Sequence, residues 1–313
     1  MKSGSVRSKL SGLPVIGRLF GKKRNHIRAL SCLSTDEMLA LMRHETHRIE
    51  KAVYNDLLTV KKDIFHRKVD RLSELYKLLS ERGVPENEPT IAWSRWISGN
   101  FIQLAETLRH GNPEPVPQFD PGRAVSFLAF LRERRSVRVW AEEQPDTDTL
   151  EAFAHTMIEA ARWAPNSGNR QTWRFLVLRT AEEKNLLLKL KELHCVSAPL
   201  LIFMGMDSRL YGALGLGERC LYIDAGAAIM QMILVAHQCG LGTCWNHLAD
   251  DLILSRSVNH EVYVEFSRKM GIPEYITPIA VIAAGVPAFM PPVPARMDPE
   301  RLMIQHRAGR SQP

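Results

Sequence analysis

No acidic residue occurs before Asp36, although Lys2, Arg7, Lys9, Arg18, Lys22, Lys23, Arg24 and Arg28 all fall in that stretch. These cations more than account for the formal net charge of +7, so the rest of the chain is close to neutral. A basic, nucleic-acid-binding body is thereby excluded, and the charge reads as a tail property. Cysteine is sparse: Cys32, Cys195, Cys220, Cys239 and Cys244 are odd in number and form no C-x-x-C pair. That argues against a complete disulfide framework and for a reducing cytoplasm. No uninterrupted apolar run reaches membrane-spanning length. The most apolar stretch, Tyr222 to Cys239, carries Asp224, Gln231, His237 and Gln238, as a core helix does. The short run Leu13–Gly17 is broken by Pro14 and Gly17 and lacks a cleavage signature, so no secretory signal is expected.

Several catalytic patterns are missing as well. His44-Glu45-Thr46-His47 is one residue short of H-E-x-x-H, so no metal site is expected there or elsewhere. Gly215-Leu216-Gly217 places Cys220 where a dinucleotide fingerprint needs its third glycine, and it follows no strand. Ser136 and Ser167 sit in no nucleophile elbow, so triad hydrolysis has no support.

What is present divides the chain into four parts. Residues 1–30 form a basic tail with interleaved Leu10, Leu13, Val15, Ile16, Leu19 and Phe20. This composition suits weak contact with an anionic membrane surface, a disordered tail, or a tail that docks on an acidic partner. Residues 31–110 read as a helical extension. Ser34 to Glu37 is its N-terminal cap, Glu45 and Arg48 form a solvent pair on the first helix, and Val69, Leu72, Leu75, Leu78 and Leu79 form an apolar stripe on a helix over Arg67–Arg82. Residues 111–122, rich in proline, are a linker, and 123–313 form the second domain. There the patterns predict a helix over Phe127–Glu133 and an amphipathic helix over Thr149–Trp163 capped by Asp148. Strands are expected at Trp173–Arg179, Ala198–Met204 and Thr277–Ala284, with a charged helix at Ala181–Leu193 and an apolar helix at Ile223–Gln238. Ala225, Gly226, Ala227 and Ala228 on the apolar helix allow close approach of another element.

Two segments concentrate the chemistry. Arg134-Arg135-Ser136-Val137-Arg138 puts three guanidinium groups and a hydroxyl within one short stretch, which suits a phosphate. Ala164-Pro165-Asn166-Ser167-Gly168-Asn169-Arg170-Gln171 packs hydrogen-bonding side chains around a glycine, which suits the polar edge of a flat heterocycle. Together they resemble the opening of the FMN-dependent nitroreductase family, R-R-S-x-R, a helix, then A-P-S-x-x-N-x-Q-P-W. Asn166 stands in place of the family's serine and Thr172 in place of its proline. Gly240-Leu241-Gly242-Thr243-Cys244-Trp245 resembles the family's G-L-G-S-x-W, and Pro291 to Arg296 resembles its proline-rich tail. Thr46 to Lys51 also resembles an H-R-x-E-K element of N-terminally extended relatives.

The resemblance implies an α+β fold, a mixed and mainly antiparallel sheet flanked by helices, with an N-terminal helical region added. It implies FMN as cofactor, NAD(P)H as co-substrate, and a homodimer whose subunits share each flavin. Arg134, Arg135, Ser136, Arg138 and Arg296 then face the phosphate. Asn166, Ser167 and Gly168 lie against the ring, and Asn169 and Gln171 near its polar edge. Gly242, Thr243 and Asn246 belong to the segment passing the ring, and His247 is the candidate proton donor. The implied activity is ping-pong hydride transfer to a small acceptor such as a nitroaromatic, quinone or enone. Two alternatives remain: a flavin-dependent dehydrogenase of a peptide or small metabolite, and a flavin-binding regulatory or scaffold protein acting through its N-terminal helices.

Overall fold

A computed structural model describes residues 30–54, 62–110, 118–212, 219–248 and 260–304. The basic run before residue 30, most of the proline-rich linker, and Gly215-Leu216-Gly217 lie outside the described residues.

Three helices open the described chain: α1 (Thr35–Tyr54), α2 (Lys62–Glu81) and α3 (Pro89–His110). α1 starts in a capping box, as Ser34 suggested. The Ser34 hydroxyl accepts from the Glu37 N–H at 3.3 Å, and the Ser34 N–H donates to the Glu37 carboxylate at 2.8 Å. Met38, Met42 and Ile49 of α1 pack on Leu72, Leu75 and Leu79 of α2 and on Ile91 and Ile97 of α3. Glu45 does not form the expected solvent pair with Arg48. It is buried and takes Lys68 at 3.0 Å and Arg71 at 3.4 Å from α2, because an inward carboxylate needs paired cations once water is removed.

α4 (Pro121–Glu133) begins earlier than the apolar pattern indicates, inside the expected linker. Asp120 caps it by accepting from the Gly122 N–H at 2.9 Å, and Pro121 occupies the first helical position. α5 (Thr147–Arg162) is likewise capped two residues upstream of the expected Asp148. Asp146 accepts from the Thr149 N–H at 2.7 Å. The charged segment splits into α6 (Ala181–Leu186) and a one-turn α7 (Leu193–Val196). Lys184 there draws the chain inward by donating to the carbonyls of Ala198 and Pro199.

Four strands, β1 (Trp173–Leu178), β2 (Leu200–Asp207), β3 (Gly242–His247) and β4 (Ile276–Gly285), form one sheet in the order β1-β2-β4-β3. Every pairing between them is antiparallel. The parallel component is an isolated bridge from Ser136 to Thr243. β2 and β4 are central and covered on both faces, which explains their continuous apolar sequence. One face, through Ile202, Met204 and Ile282, packs on α5 and on α9 (Arg219–Gln238), which follows the one-turn α8 (Arg209–Gly212). The other, through Phe203, Val281 and Ala283, packs on Tyr263 and Phe266 of α10 (His260–Lys269). The small residues of α9 are answered within the chain: Ala225 and Ala228 are buried in the shared core with α5, and Gly226 faces the Trp245 ring.

Candidate functional site

The sequence-predicted residues gather at two corners of the sheet. The first is cationic. α4 ends at Arg134, whose backbone turns extended, and the chain then runs beside β3. The Val137 N–H donates to the Thr243 carbonyl at 2.9 Å. Gly242 makes that approach possible, since a Cβ there would lie within 3.0 Å of the Val137 side chain. The R-R-S-V-R and G-L-G-T motifs are therefore one structural unit, although α5, α9 and two strands separate them in sequence.

Burial lowers the pKa of Arg134, and the charges of Arg296 and Arg135 lower it further. Three guanidinium groups thus converge. Among the described residues no carboxylate pairs with Arg134, Arg135, Arg138 or Arg296. Arg135 donates to the Arg132 carbonyl and, at 3.0 Å, to the Arg134 carbonyl, while its Nε is buried without a partner. Arg138 and Arg296 are exposed and, among the described residues, hydrogen-bond to nearby carbonyls, those of Ser136 and Ala295. Like charges held together are unfavourable alone and become favourable around a dianion. A phosphomonoester, at about −1.5 to −2 charge, is such a group.

From this corner runs the outer edge of β3, unpaired beyond Thr243 among the described residues. A strand's backbone groups alternate in direction, and the Thr243 carbonyl points outward to Val137 while the Leu248 N–H points inward to Ile279 at 2.7 Å. The N–H groups of Trp245 and His247 therefore face the open edge, and both side chains are exposed. Asn246 points the other way. Its amide oxygen accepts from His194 Nε2 at 3.2 Å, and its amide nitrogen donates to the carbonyls of Cys244 (3.0 Å) and Val281 (3.4 Å). Asn246 thus fixes the strand from behind and presents no side chain at the edge.

The second corner is the turn Asn166–Gln171 leading into β1. Gly168, Asn169 and Gln171 all adopt left-handed backbone, with φ of 65°, 51° and 55°. Non-glycine residues in such geometry cost about 1–3 kcal/mol each unless their surroundings impose it. Here they do. Asn166 accepts from the Gln171 N–H at 3.0 Å, and Gln171 donates to the Asn169 amide oxygen at 3.1 Å. Asp224, buried in α9, accepts from the Ser167 N–H (2.9 Å), the Ser167 hydroxyl (3.1 Å) and the Tyr211 hydroxyl (2.5 Å). Tyr211 also meets the Thr172 hydroxyl at 3.0 Å, and its own pKa is pushed up by burial and by the Asp224 bond. Arg170 is 1% exposed, donates to the Ser167 carbonyl, and lies 5.8 Å over the Tyr211 ring.

Asp224, Tyr211 and Arg170 escaped the motif-level reading. A lone aspartate in an otherwise apolar helix was the available signal, because a buried carboxylate requires donors. Arg43 and His44 of α1, which also touch the turn, gave no such signal.

The two corners are far apart within one chain. Asp224, in the early part of α9, holds the turn. His237, in its last turn, packs on Phe130 of α4 at 4.7 Å between ring centroids. At 1.5 Å per residue those positions are about 20 Å apart along the helix. β1 and β3 are also the two outer strands, with β2 and β4 between them. Arg134, Arg135, Ser136, Arg138, Gly242, Thr243 and Arg296 thus share one corner, and Asn246 and His247 lie further along β3, about 16 Å from Gly242 at its far end. Asn166, Ser167, Gly168, Asn169 and Gln171 share the other.

The sequence model described as the Nitroreductase family matches residues 131–194 and 196–286. A protein of Methanothermobacter thermautotrophicus, provisionally named an NADH dehydrogenase/NAD(P)H nitroreductase, is 28% identical over 187 residues, covering 58% of this chain and 87% of its own. A protein of Archaeoglobus fulgidus with the same provisional name is 26% identical over 166 residues, covering 51% and 84%. Among solved structures, a provisionally named nitroreductase from Desulfovibrio desulfuricans in complex with FMN is 23% identical, with a TM-score of 0.47. That alignment covers 60% of this chain and 98% of the other.

Proposed function

Because the chain belongs to the nitroreductase family, we propose that it is an FMN-dependent oxidoreductase. It passes a hydride from NAD(P)H to a small organic acceptor such as a nitroaromatic, quinone or enone. The observation that carries this reading is the approach of Arg135 and Arg296 to Arg134 with no carboxylate paired to them among the described residues, beside a buried and unpartnered Arg135 Nε. That arrangement fits the FMN phosphate, with Ser136 and Arg138 alongside. When bound, FMN supplies two-electron chemistry between nicotinamide and acceptor in ping-pong order.

The chain's own residues do the rest. The cationic corner anchors the phosphate. The outward N–H groups of Trp245 and His247 offer preorganised donors where negative charge develops. The exposed His247 imidazole lies on the same strand, as the candidate proton donor to the acceptor. Asn166–Gln171 presents amide groups on a rigid turn for the ring's polar edge.

With the corners about 20 Å apart, one small ligand does not reach both within a chain. We infer a homodimer in which the turn of one protomer meets the cationic corner of its partner. Exposed apolar side chains support this: Val125, Phe127 and Leu128 on α4, Ile223 on α9, Trp245 on β3, and Phe289, Met290 and Val293 beyond β4. The test is the visible spectrum of the purified protein with added FMN, before and after anaerobic NADH or NADPH. A bound-flavin spectrum bleached by one of the nicotinamides is expected. A protein that stays colourless after incubation with FMN would overturn the reading.

A further inference from the structure

The Asn166–Gln171 turn is gripped from two sides, and one grip comes from the N-terminal helices. Arg43 of α1 donates from Nε (3.3 Å) and Nη2 (2.9 Å) to the carbonyl of Arg170, the residue between left-handed Asn169 and Gln171. Its third nitrogen, Nη1, donates to the Thr90 hydroxyl of α3 at 2.9 Å, and Thr90 donates in turn to Glu88 at 3.1 Å. The guanidinium is so enclosed that burial lowers its pKa to about 10. One residue on, His44 sits against Gly168, and a Cβ at Gly168 would overlap its Nδ1. That Nδ1 and two guanidinium nitrogens of Arg170 are buried without partners, so the contact is set by fit. Asp36 of α1 adds a looser tie to Arg174 of β1 at 3.5 Å.

We propose that α1 is a built-in part of the ring-facing site, with Arg43 and His44 as positioning residues that hold the turn in its left-handed form. The N-terminal helices are then a brace for the redox site and not a separate appendage. The brace is read from contacts within the chain; only its consequence for flavin rests on the function proposed above. A forked donor on one carbonyl fixes a peptide plane in a way a point charge does not. That plane sets the amide directions of Asn169 and Gln171.

Amide hydrogen exchange on the full-length protein tests the brace without any flavin. In Arg43→Met, peptides covering 164–173 should exchange roughly tenfold faster or more, with β2 and β4 unchanged. Arg43→Lys keeps the charge, loses the fork, and should accelerate the same peptides by a smaller factor; it also serves if the methionine variant fails to fold. Gly168→Ala should accelerate the turn too, and adding His44→Ala should partly reverse that by clearing the overlapped space. With FMN added, Arg43→Met should bind it more weakly and shift the visible circular dichroism of the bound flavin.

Wild-type exchange at 164–173 in both Arg43 variants overturns the brace, as does acceleration spread equally over β2 and β4. A wild-type protein that takes up no FMN, yet shows the predicted exchange pattern, removes the oxidoreductase reading and leaves the brace standing.

Discussion

The cationic corner and the turn differ in how much of their bonding capacity the chain itself uses. At the corner, the charges of Arg296 and Arg135 oppose that of Arg134, and a buried Arg135 nitrogen has no partner. At the turn, Asp224 accepts three hydrogen bonds, Asn166 caps Gln171, and Arg43 clamps the Arg170 carbonyl. The first region is electrostatically incomplete and gains from an anion. The second is preorganised and has shape to offer. An affinity site and a positioning site are thus physically different objects here, built at opposite ends of α9.

The contrast can be broken from either side. The largest effect is expected from Arg134→Glu, which turns phosphate attraction into repulsion. FMN affinity should fall by at least about 3 kcal/mol, roughly a hundredfold or more, while thermal stability holds. Fluorescence titration of FMN, alongside a melting curve, reads both. Asp224→Ala should do the reverse. It strips the Ser167 and Tyr211 donors of their acceptor inside the core, so urea unfolding should show a loss of about 2–4 kcal/mol. FMN affinity should suffer less than in Arg134→Glu. Arg296→Ala removes an exposed member of the trio. Its effect on FMN affinity should be about 1 kcal/mol, shrinking as salt rises.

The smallest effect is a pH dependence at the turn. Burial, and then the charge of Arg170, hold the His44 pKa down at about 4. An unfolded histidine titrates near about 6.5. Between those values the unfolded chain binds more protons, so the stability associated with neutral His44 is complete above about pH 6.5 and is lost as pH falls through about 4. The melting temperature should drop more between about pH 7 and pH 5 in the wild type than in His44→Gln.

Much of the cationic corner was legible in the sequence, because arginine density and a glycine beside a strand are local signals. Val137 fitting against Gly242 explains why two motifs far apart in the chain work as one. β2 and β4 were legible because burial on both faces makes them continuously apolar, whereas β3, with its short exposed polar end, was not expected as a strand. The turn was legible as a polar cluster, yet what holds it was not. Arg43 and His44 carry the side chains of an ordinary solvent face, and only tertiary packing turns them inward. Glu45 misled for the same reason: its Arg48 spacing suits a surface pair, while Lys68 and Arg71 lie on another helix. The helix starts were displaced by caps at Asp120 and Asp146, where local hydrogen bonds outweigh apolar periodicity.

The central claim is that one site is assembled from two chains, and subunit complementation tests it most directly. Arg134→Glu disables the cationic corner, and Asn166→Trp fills the space in front of the turn. Neither variant alone should retain FMN. Mixed dimers of the two, isolated with separate affinity tags, would contain one site in which both halves are wild type. The account predicts that these dimers recover bound flavin, at about one FMN per dimer, together with nicotinamide-dependent bleaching. Mixed dimers that remain free of flavin, while wild-type dimers handled identically bind two, would contradict it.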